Sequence, residues 1–549
     1  MGHILILIES PAVTLLAVAL VLACVARLRR PWLREALWVS VALVLLLVYL
    51  GLTVFAGVAW WSHAANSSKI IWWPVGRWFY ALLAMMVCYL IGVVWLRVRA
   101  LRLVEGDLPV PAAASWPRGK LAIALAVAFA LHAMTFWNLD LSIRQQLAVA
   151  RSEAGALALS VAPARLPDRD NAALVYIQAI EAMGIENDTW PEQWDEWVDF
   201  EQGSLDPNDP SLLDFLRRQT PALILMREAS DKPGCYFERD YGRPSIDMLL
   251  PYLSPMRCAA RLLAVDARVK AAGGDIGGAL SDVNAMFAIA EHVGSDSILV
   301  SMLVAAAIDR IASDTLSVVL ASGKTSEQDL AQLHVDTSLS FRRMFERSMR
   351  MEEAFGLSVF CDVATGRVSL DNIAGSSAAG RGSPWQGALA SLYRVFLMAD
   401  DMATHQRYMQ EYRLLAAKPY HEAREDWERF STELGSGPGG ILTALMLPAL
   451  KSCAIAATEA EARRRVARLA VAMHRYRAAE GRFPEKLAEL APDSIAFIPV
   501  DPFDGKSMKL KWIERGPVIY SVGPDMKDGG GAPFDRKEKT GDIIFRLSQ

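Results

Sequence analysis

Several things are scarce in this chain, and each scarcity narrows what it can be. Positive charge is not in excess: 57 Lys and Arg stand against 61 Asp and Glu, with a formal net charge of -4 and a pI near 6.1. The basic face that nucleic-acid binding requires is therefore missing. Cysteine is sparse, with 6 in 549 residues, and none stand as a Cys-x-x-Cys pair. Cys24 and Cys88 fall in apolar runs, whereas Cys235, Cys258, Cys361 and Cys453 are open to two readings, disulfides outside the cytoplasm or buried free thiols. Catalytic signatures are also missing. Gly323-Lys324-Thr325 has the end of a phosphate-binding loop, but Val318 occupies the place of its first glycine. His421-Glu422 lacks the second histidine of a zinc-protease helix, and Gly375-Ser376-Ser377 lacks the glycine of a nucleophile elbow. Adjacent carboxylates at Glu352-Glu353 and Asp400-Asp401 leave a helix on different faces, so they are expected as solvated surface rather than acid/base pairs.

Charge is absent from long stretches near the N-terminus. The composition, 53% hydrophobic with 21% charged, averages a strongly apolar first quarter and an ordinary globular remainder. Four runs, about 4–26, 36–60, 78–95 and 121–137, approach or exceed the ~20 apolar residues that cross a bilayer as a helix. Tryptophans cluster at their ends (Trp60, Trp61, Trp72, Trp73, Trp95, Trp137), as interfacial residues do. His132 in the fourth run lacks an acidic partner, which reads as one interhelical hydrogen bond rather than a proton path. Arg27, Arg29, Arg30 and Arg34 follow the first run, and Arg97, Arg99, Arg102, Arg118 and Lys120 follow the third. The positive-inside rule places those two loops in the cytoplasm and both termini outside. The expectation is a four-helix transmembrane bundle over residues 1–140 in a bacterial inner membrane, with the rest extracytoplasmic.

Residues 141–434 carry helical periodicity and are expected to form an all-α domain. Asn171–Met183 has apolar residues at helical spacing after the capping candidate Asp170. Trp190, Trp194 and Trp197 form a stripe among acids, read as packing or as an aromatic binding face. Ala264, Ala267 and Ala271, the break Gly273-Gly274-Asp275, then Ala279, Leu280, Val283 and Ala288 predict a helical hairpin of the tetratricopeptide kind, without a second copy at fixed period. Leu299–Leu320 predicts another helix, and Thr325-Ser326-Glu327-Gln328 has the form of a capping box. The Gly- and Ser-rich segment 375–385 reads as a loop.

Residues 435–549 change character. A short apolar run, Ile441–Leu450, precedes a long amphipathic helix reaching about Arg477, closed by Gly481 and Pro484. Leu487 and Leu490 mark a short second helix. A period of two then predicts strands around Met508–Trp512, Val518–Val522 and Ile543–Leu547. A loop containing Asp525, Asp528 and Gly529-Gly530-Gly531 joins the last two.

The order of Tyr476, Gly481-Arg482-Phe483-Pro484, Asp501-Pro502-Phe503-Asp504-Gly505, Tyr520-Ser521-Val522-Gly523-Pro524-Asp525 and Asp542-Ile543 resembles the periplasmic domain of the major pseudopilin of type II secretion systems. The whole chain is similar to large bacterial multi-pass membrane proteins with such a tail. The resemblance implies an α+β module and a calcium site in its last loop. By position Asp525 and Asp542 match family acids, and Asp528 is an additional nearby candidate. Lys539, Thr540 and Gly541 stand where the family supplies further acid, and no processed pilin helix lies upstream. Two readings of the loop remain: calcium held by hard oxygen ligands, or a structural turn whose aspartates accept from backbone N–H groups. The resulting expectation is a membrane-anchored extracytoplasmic scaffold or interaction protein, partnered by the lipid bilayer and envelope proteins of a secretion or pilus-like assembly. The alternatives are an envelope hydrolase with scattered carboxylates, Glu352 or Asp362 among them, and a solute-binding or sensory protein.

Overall fold

A computed structural model describes chiefly residues 118–184, 191–199, 205–245, 250–323, 325–333, 340–368, 397–436 and 440–547. In chain order the described helices are α1 (Arg118–Val161), α2 (Ala172–Met183), α3 (Trp194–Val198), α4 (Pro210–Ser230), α5 (Leu253–Gly273), α6 (Ile276–Gly294), α7 (Leu299–Ala321), α8 (Glu327–Ala331), α9 (Phe341–Ala364), α10 (Met398–Ala417), α11 (Tyr420–Ser436), α12 (Ile441–Met446) and α13 (Leu450–Glu480). They are followed by β1 (Lys509–Ile513), β2 (Gly516–Ser521) and β3 (Ile543–Arg546) in one antiparallel sheet of order β1-β2-β3.

The expected fold class is corrected at its N-terminal end. Among the described residues one stretch is long and apolar enough to cross a membrane, Ile441–Glu480, which is not one of the four expected runs. The runs 4–26, 36–60 and 78–95 lie outside the described residues. The run 121–137 is the beginning of the 44-residue α1, which continues to Val161 without a break. Among the described residues a four-helix transmembrane bundle is therefore not shown. The protein is mostly helical, with a small three-stranded antiparallel sheet.

Two compact units emerge. One comprises Met1–Gln146, Ala378–Ala399 and Ser436–Gly440, and within it Asp140 holds Arg144 at 2.6 Å and Arg394 at 3.3 Å. The other comprises Leu147–Ser377, Asp400–Gly435 and Ile441–Gln549. Its centre is the hairpin α5–α6. Gly274 turns the chain at φ 87°, a conformation glycine adopts without steric cost, and the Asp275 side chain then caps α6 by accepting from Gly278 N–H. Both helices bury small residues (Ala259, Ala260, Ala264, Ala279, Ala290), so the backbones approach closely. α7 packs on both, and α13 packs on α7, α9, β2 and β3. Helical and α+β segments thus share one hydrophobic core.

Sequence signals locate most elements and misplace some caps. α2 is capped by Asn171, one residue after Asp170, and the capping box opening α8 pairs Ser326 with Asp329. Trp194 and Trp197 are buried against Phe215 of α4, so packing is the role of the aromatic stripe. Cys235, Cys258, Cys361 and Cys453 are free thiols. Of the four adjacent carboxylates expected on the surface, Glu353 and Asp401 are buried instead. Glu353 is buried and paired with Arg413 at 2.8 Å, and Asp401 is buried and accepts from Leu442 N–H, Thr443 N–H and the Thr443 hydroxyl. Neutralisation by a cation or by helix-terminal N–H groups is what permits a carboxylate in a core.

The deepest such pair joins the two halves of this unit. Asp309 of α7 and Arg464 of α13 are 0% and 4% exposed and are in direct ion-pair contact, with Arg464 also lying over the Phe287 ring at 4.2 Å. Removing one partner leaves an uncompensated buried charge, so Arg464→Met should cost about 3–5 kcal/mol of stability. The double variant Arg464→Met/Asp309→Leu should recover most of it in chemical denaturation. A double variant as unstable as the single would sink this account.

His405 of α10 is 1% exposed, faces Gly356 and the Phe360 ring, and has no hydrogen-bond partner at either ring nitrogen among the described residues. A Cβ at position 356 would meet its Nε2 at 2.0 Å, which is why glycine stands there. Burial lowers its pKa to about 4 against a smaller opposing pull from Asp401. A folded-state pKa below the unfolded value contributes stability that is present above about pH 6.5 and lost as pH falls towards 4. Relative to His405→Leu, the native protein should lose on the order of 3 kcal/mol between those limits. Parallel denaturation curves for the two at pH 7 and pH 4.5 would contradict this.

Candidate groove over helix α2

α2 is held by one side chain working at both ends of a junction. Asn171 Oδ1 accepts from Ala173 N–H at 3.1 Å and from Tyr236 N–H at 2.8 Å, while its Nδ2 donates to Tyr236 C=O at 3.0 Å. Ala172 N–H completes the junction on Gly234 C=O at 2.8 Å. The inner face of α2 (Ala172, Tyr176, Ala179, Met183) is buried. Tyr176 O–H donates to His292 Nδ1 at 2.8 Å, and His292 Nε2 lies 3.1 Å from Lys232 C=O. Because a carbonyl only accepts, Nε2 carries the proton and Nδ1 is the acceptor. Burial lowers the His292 pKa to about 4, keeping the ring neutral.

The outer face of α2 is apolar and uncovered. Leu174 is 41% and Ile177 45% exposed. Together with Leu166, Ile180, Phe237, Pro251 and Tyr252 they line a cavity of about 740 Å3, within the size range of ligand sites. Asp168, Glu181, Glu238 and Arg165 stand around it, the last two paired at 2.6 Å. Arg239 closes one end. Its guanidinium lies over the rings of Tyr241 (5.4 Å) and Tyr252 (5.1 Å), and Tyr252 stacks on Phe237 at 3.6 Å.

Beneath Arg239 lies Asp296, 4% exposed. It accepts from the hydroxyls of Tyr241 (2.5 Å), Tyr252 (2.8 Å) and Ser301 (2.8 Å), and it faces Arg239 Nη1 at 3.1 Å. Burial pushes its carboxyl up, against Arg239 and the hydroxyl donors. The hydroxyls and aromatic faces fix the arginine in one orientation, which is how a binding group is preorganised. None of Arg239, Tyr241, Tyr252 and Asp296 was marked by periodicity. They come from loop segments between helices, where apolar spacing carries no information.

A second cavity, about 260 Å3, lies near Tyr420 and Trp427. Its arginines are already committed, Arg342 to Ala417 C=O and Arg465 to Glu461 and Val500 C=O. The carboxylates that could have served an enzyme are kept apart. Glu352, whose carboxyl is enclosed although part of the residue is exposed, accepts from Leu299 N–H; burial raises its pKa to about 7, and no second acid acts on it. Asp362 faces Arg151 at 3.7 Å and Arg367 at 3.3 Å. Burial pushes the Cys235 thiol well up, which disfavours the thiolate a nucleophile needs.

Among the described residues no group of three or more His, Cys, Asp or Glu is placed to hold a metal ion. The candidate calcium ligands accept from the protein's own N–H groups instead. Asp525 takes Lys527 and Gly541 N–H, Asp528 takes Gly530 N–H and the Tyr520 hydroxyl, and Asp542 takes Gly529 and Gly531 N–H at 3.1 and 2.7 Å. Asp501 similarly accepts from Phe503 N–H, Val522 N–H and the Ser521 hydroxyl. These N–H bonds are what the structural-turn reading expects; burial pushes the Asp542 carboxyl up, and nearby Asp528 and Asp525 add to that push, which is the proximity the ion reading expects. No family model, curated protein or solved structure matches the chain.

Asp542 is fully buried and accepts from two partly buried N–H groups, and losing each bond costs about 0.5–1.5 kcal/mol. Asp542→Ala should therefore lower the melting temperature with or without calcium, and calcium should leave the native melting temperature unchanged. A calcium-dependent rise that Asp525→Ala abolishes would restore the ion site.

Proposed function

We propose that this protein is a membrane-attached interaction protein of the bacterial envelope, which binds a partner in the groove over α2 and does no chemistry on it. The observation that carries this reading is the uncovered apolar face of α2, Leu174 and Ile177, opposite a buried and oriented arginine. Large apolar side chains exposed inside a concave surface are where binding energy is available. The separation of Glu352, Glu353 and Asp362 into individually satisfied positions supports binding rather than hydrolysis.

The apolar sequence before residue 138 supplies attachment to the cytoplasmic membrane, and its arginine-rich segments supply orientation, with the groove outside the cytoplasm. The likeness of residues 435–549 to a pseudopilin domain points to a secretion or pilus-like assembly as the setting.

A photoreactive benzoylphenylalanine in place of Ile177 should cross-link an envelope protein in intact cells. The same residue in place of Leu414, exposed on α10, should not. Leu174→Glu should reduce the Ile177 adduct by about tenfold, since a charge on a desolvated apolar wall costs more than 1.4 kcal/mol. Equal adducts at both positions, or none at position 177 under several growth conditions, would remove the groove from this role.

A further inference from the structure

The edge of the groove continues past the point where Asn171 stops. Gly234 C=O receives Ala172 N–H, and two residues later Tyr236 offers both its N–H and its C=O to the Asn171 amide. That two-residue step is the period of extended chain, in which alternate residues direct their backbone groups to one side. Glu238 is the next residue on that side, and among the described residues no protein group bonds its N–H or C=O. The following residue is Arg239. Its side chain is 7% exposed, and although it faces Asp296, neither Nε nor Nη1, both enclosed by protein, has a hydrogen-bond acceptor among the described residues. A guanidinium carries five donors in a fixed fork, so one carboxylate neighbour leaves capacity for another.

An unfilled backbone edge, a buried cation with spare donors and an apolar wall occur here in sequence. We infer that the groove takes the free C-terminus of a partner protein. Its last residues lie extended beside Glu238, its terminal carboxylate reaches Arg239, and an apolar final side chain rests on Ile177 and Tyr252. Backbone pairing supplies affinity in such complexes and the side-chain pocket supplies selectivity. The rim acids Asp168 and Glu181 oppose acidic residues upstream of that terminus. This inference rests on the groove being a binding site, and it adds what is bound there.

An array of synthetic peptides with free carboxylates, varied at the last three positions, would be probed with the full-length protein in nanodiscs beside the same array as C-terminal amides. Free acids ending in Leu, Ile or Phe should be retained about tenfold more strongly than their amides. Arg239→Lys keeps the charge opposite Asp296 but loses the fork and the stacking on Tyr241 and Tyr252; it should shrink the acid-to-amide ratio, read at a temperature where its melting curve shows the variant folded. If that variant fails to fold, the acid-against-amide comparison on the native protein decides alone. Equal retention of acids and amides, or no retention of free acids, overturns the inference. Should the Ile177 adduct form in cells despite either result, the groove keeps its role and the C-terminus loses its place in it.

Discussion

Arg464 enters the core with its charge intact, and the arrangement of the larger unit follows from how that charge is met. Asp309 receives it from α7, and the face of Phe287 receives it from α6. A charge this deep tolerates no alternative packing, because any slip of α13 along α7 would separate the two ions in a low-dielectric interior. The pair therefore sets the register of α13. Since α13 also carries β2 and β3 on its flank, it sets where the sheet lies on the helical layer. The apolar contacts around it provide most of the stabilisation, and the pair selects which of many similar apolar packings is adopted.

The same logic recurs across the unit at smaller scale. Arg227 and Lys270 share Asp266 and Asp282 at 2.6–2.7 Å where α4 meets the α5–α6 hairpin. Asp296 is met by three hydroxyls and Arg239, and Asp401 caps the start of α12. Each is a buried acid that its neighbours neutralise, and each ties together segments distant in sequence. The groove profits from this. Its floor is rigid because Asn171, His292 and Asp296 are fully committed underneath, while Leu174 and Ile177 above them are exposed. Preorganisation below and exposure above are the conditions under which binding need not pay twice in entropy.

Helices and strands with a clear period were legible in the sequence. The turn Gly273-Gly274-Asp275, the stop at Gly481 and the strand near Val518–Val522 stand close to where the spacing puts them. Capping residues were legible only to within a residue or so, as at Asn171 and Asp329, because several neighbouring side chains could serve and tertiary contacts choose among them. The groove was not legible. Arg239 and Asp296 are far apart in the chain and belong to segments without period, and Glu353 and Asp401 looked like surface because adjacent acids usually are. A buried charge is visible in a sequence only through its partner, and the partner is assigned by the fold.

Hydropathy misleads for a related reason. Ile441–Glu480 meets the composition of a membrane-crossing helix, yet its later turns hold Arg463 facing Asp314 at 3.8 Å, Arg464 on Asp309, and Arg465 on Glu461 and Val500 C=O. Moving that helix into hydrocarbon would strip two guanidinium groups, Arg463 and Arg464, of acids supplied by α7, and Arg465 of its Val500 carbonyl, at a cost of several kcal/mol for each buried charge. Its small apolar residues, Ala454, Ala457, Ala460, Ala467 and Ala470, are equally well explained by close approach of α7, α9 and the sheet. The same alanine-rich composition thus serves a protein core, and the placement of the arginines relative to their acids is what tells the two solvents apart.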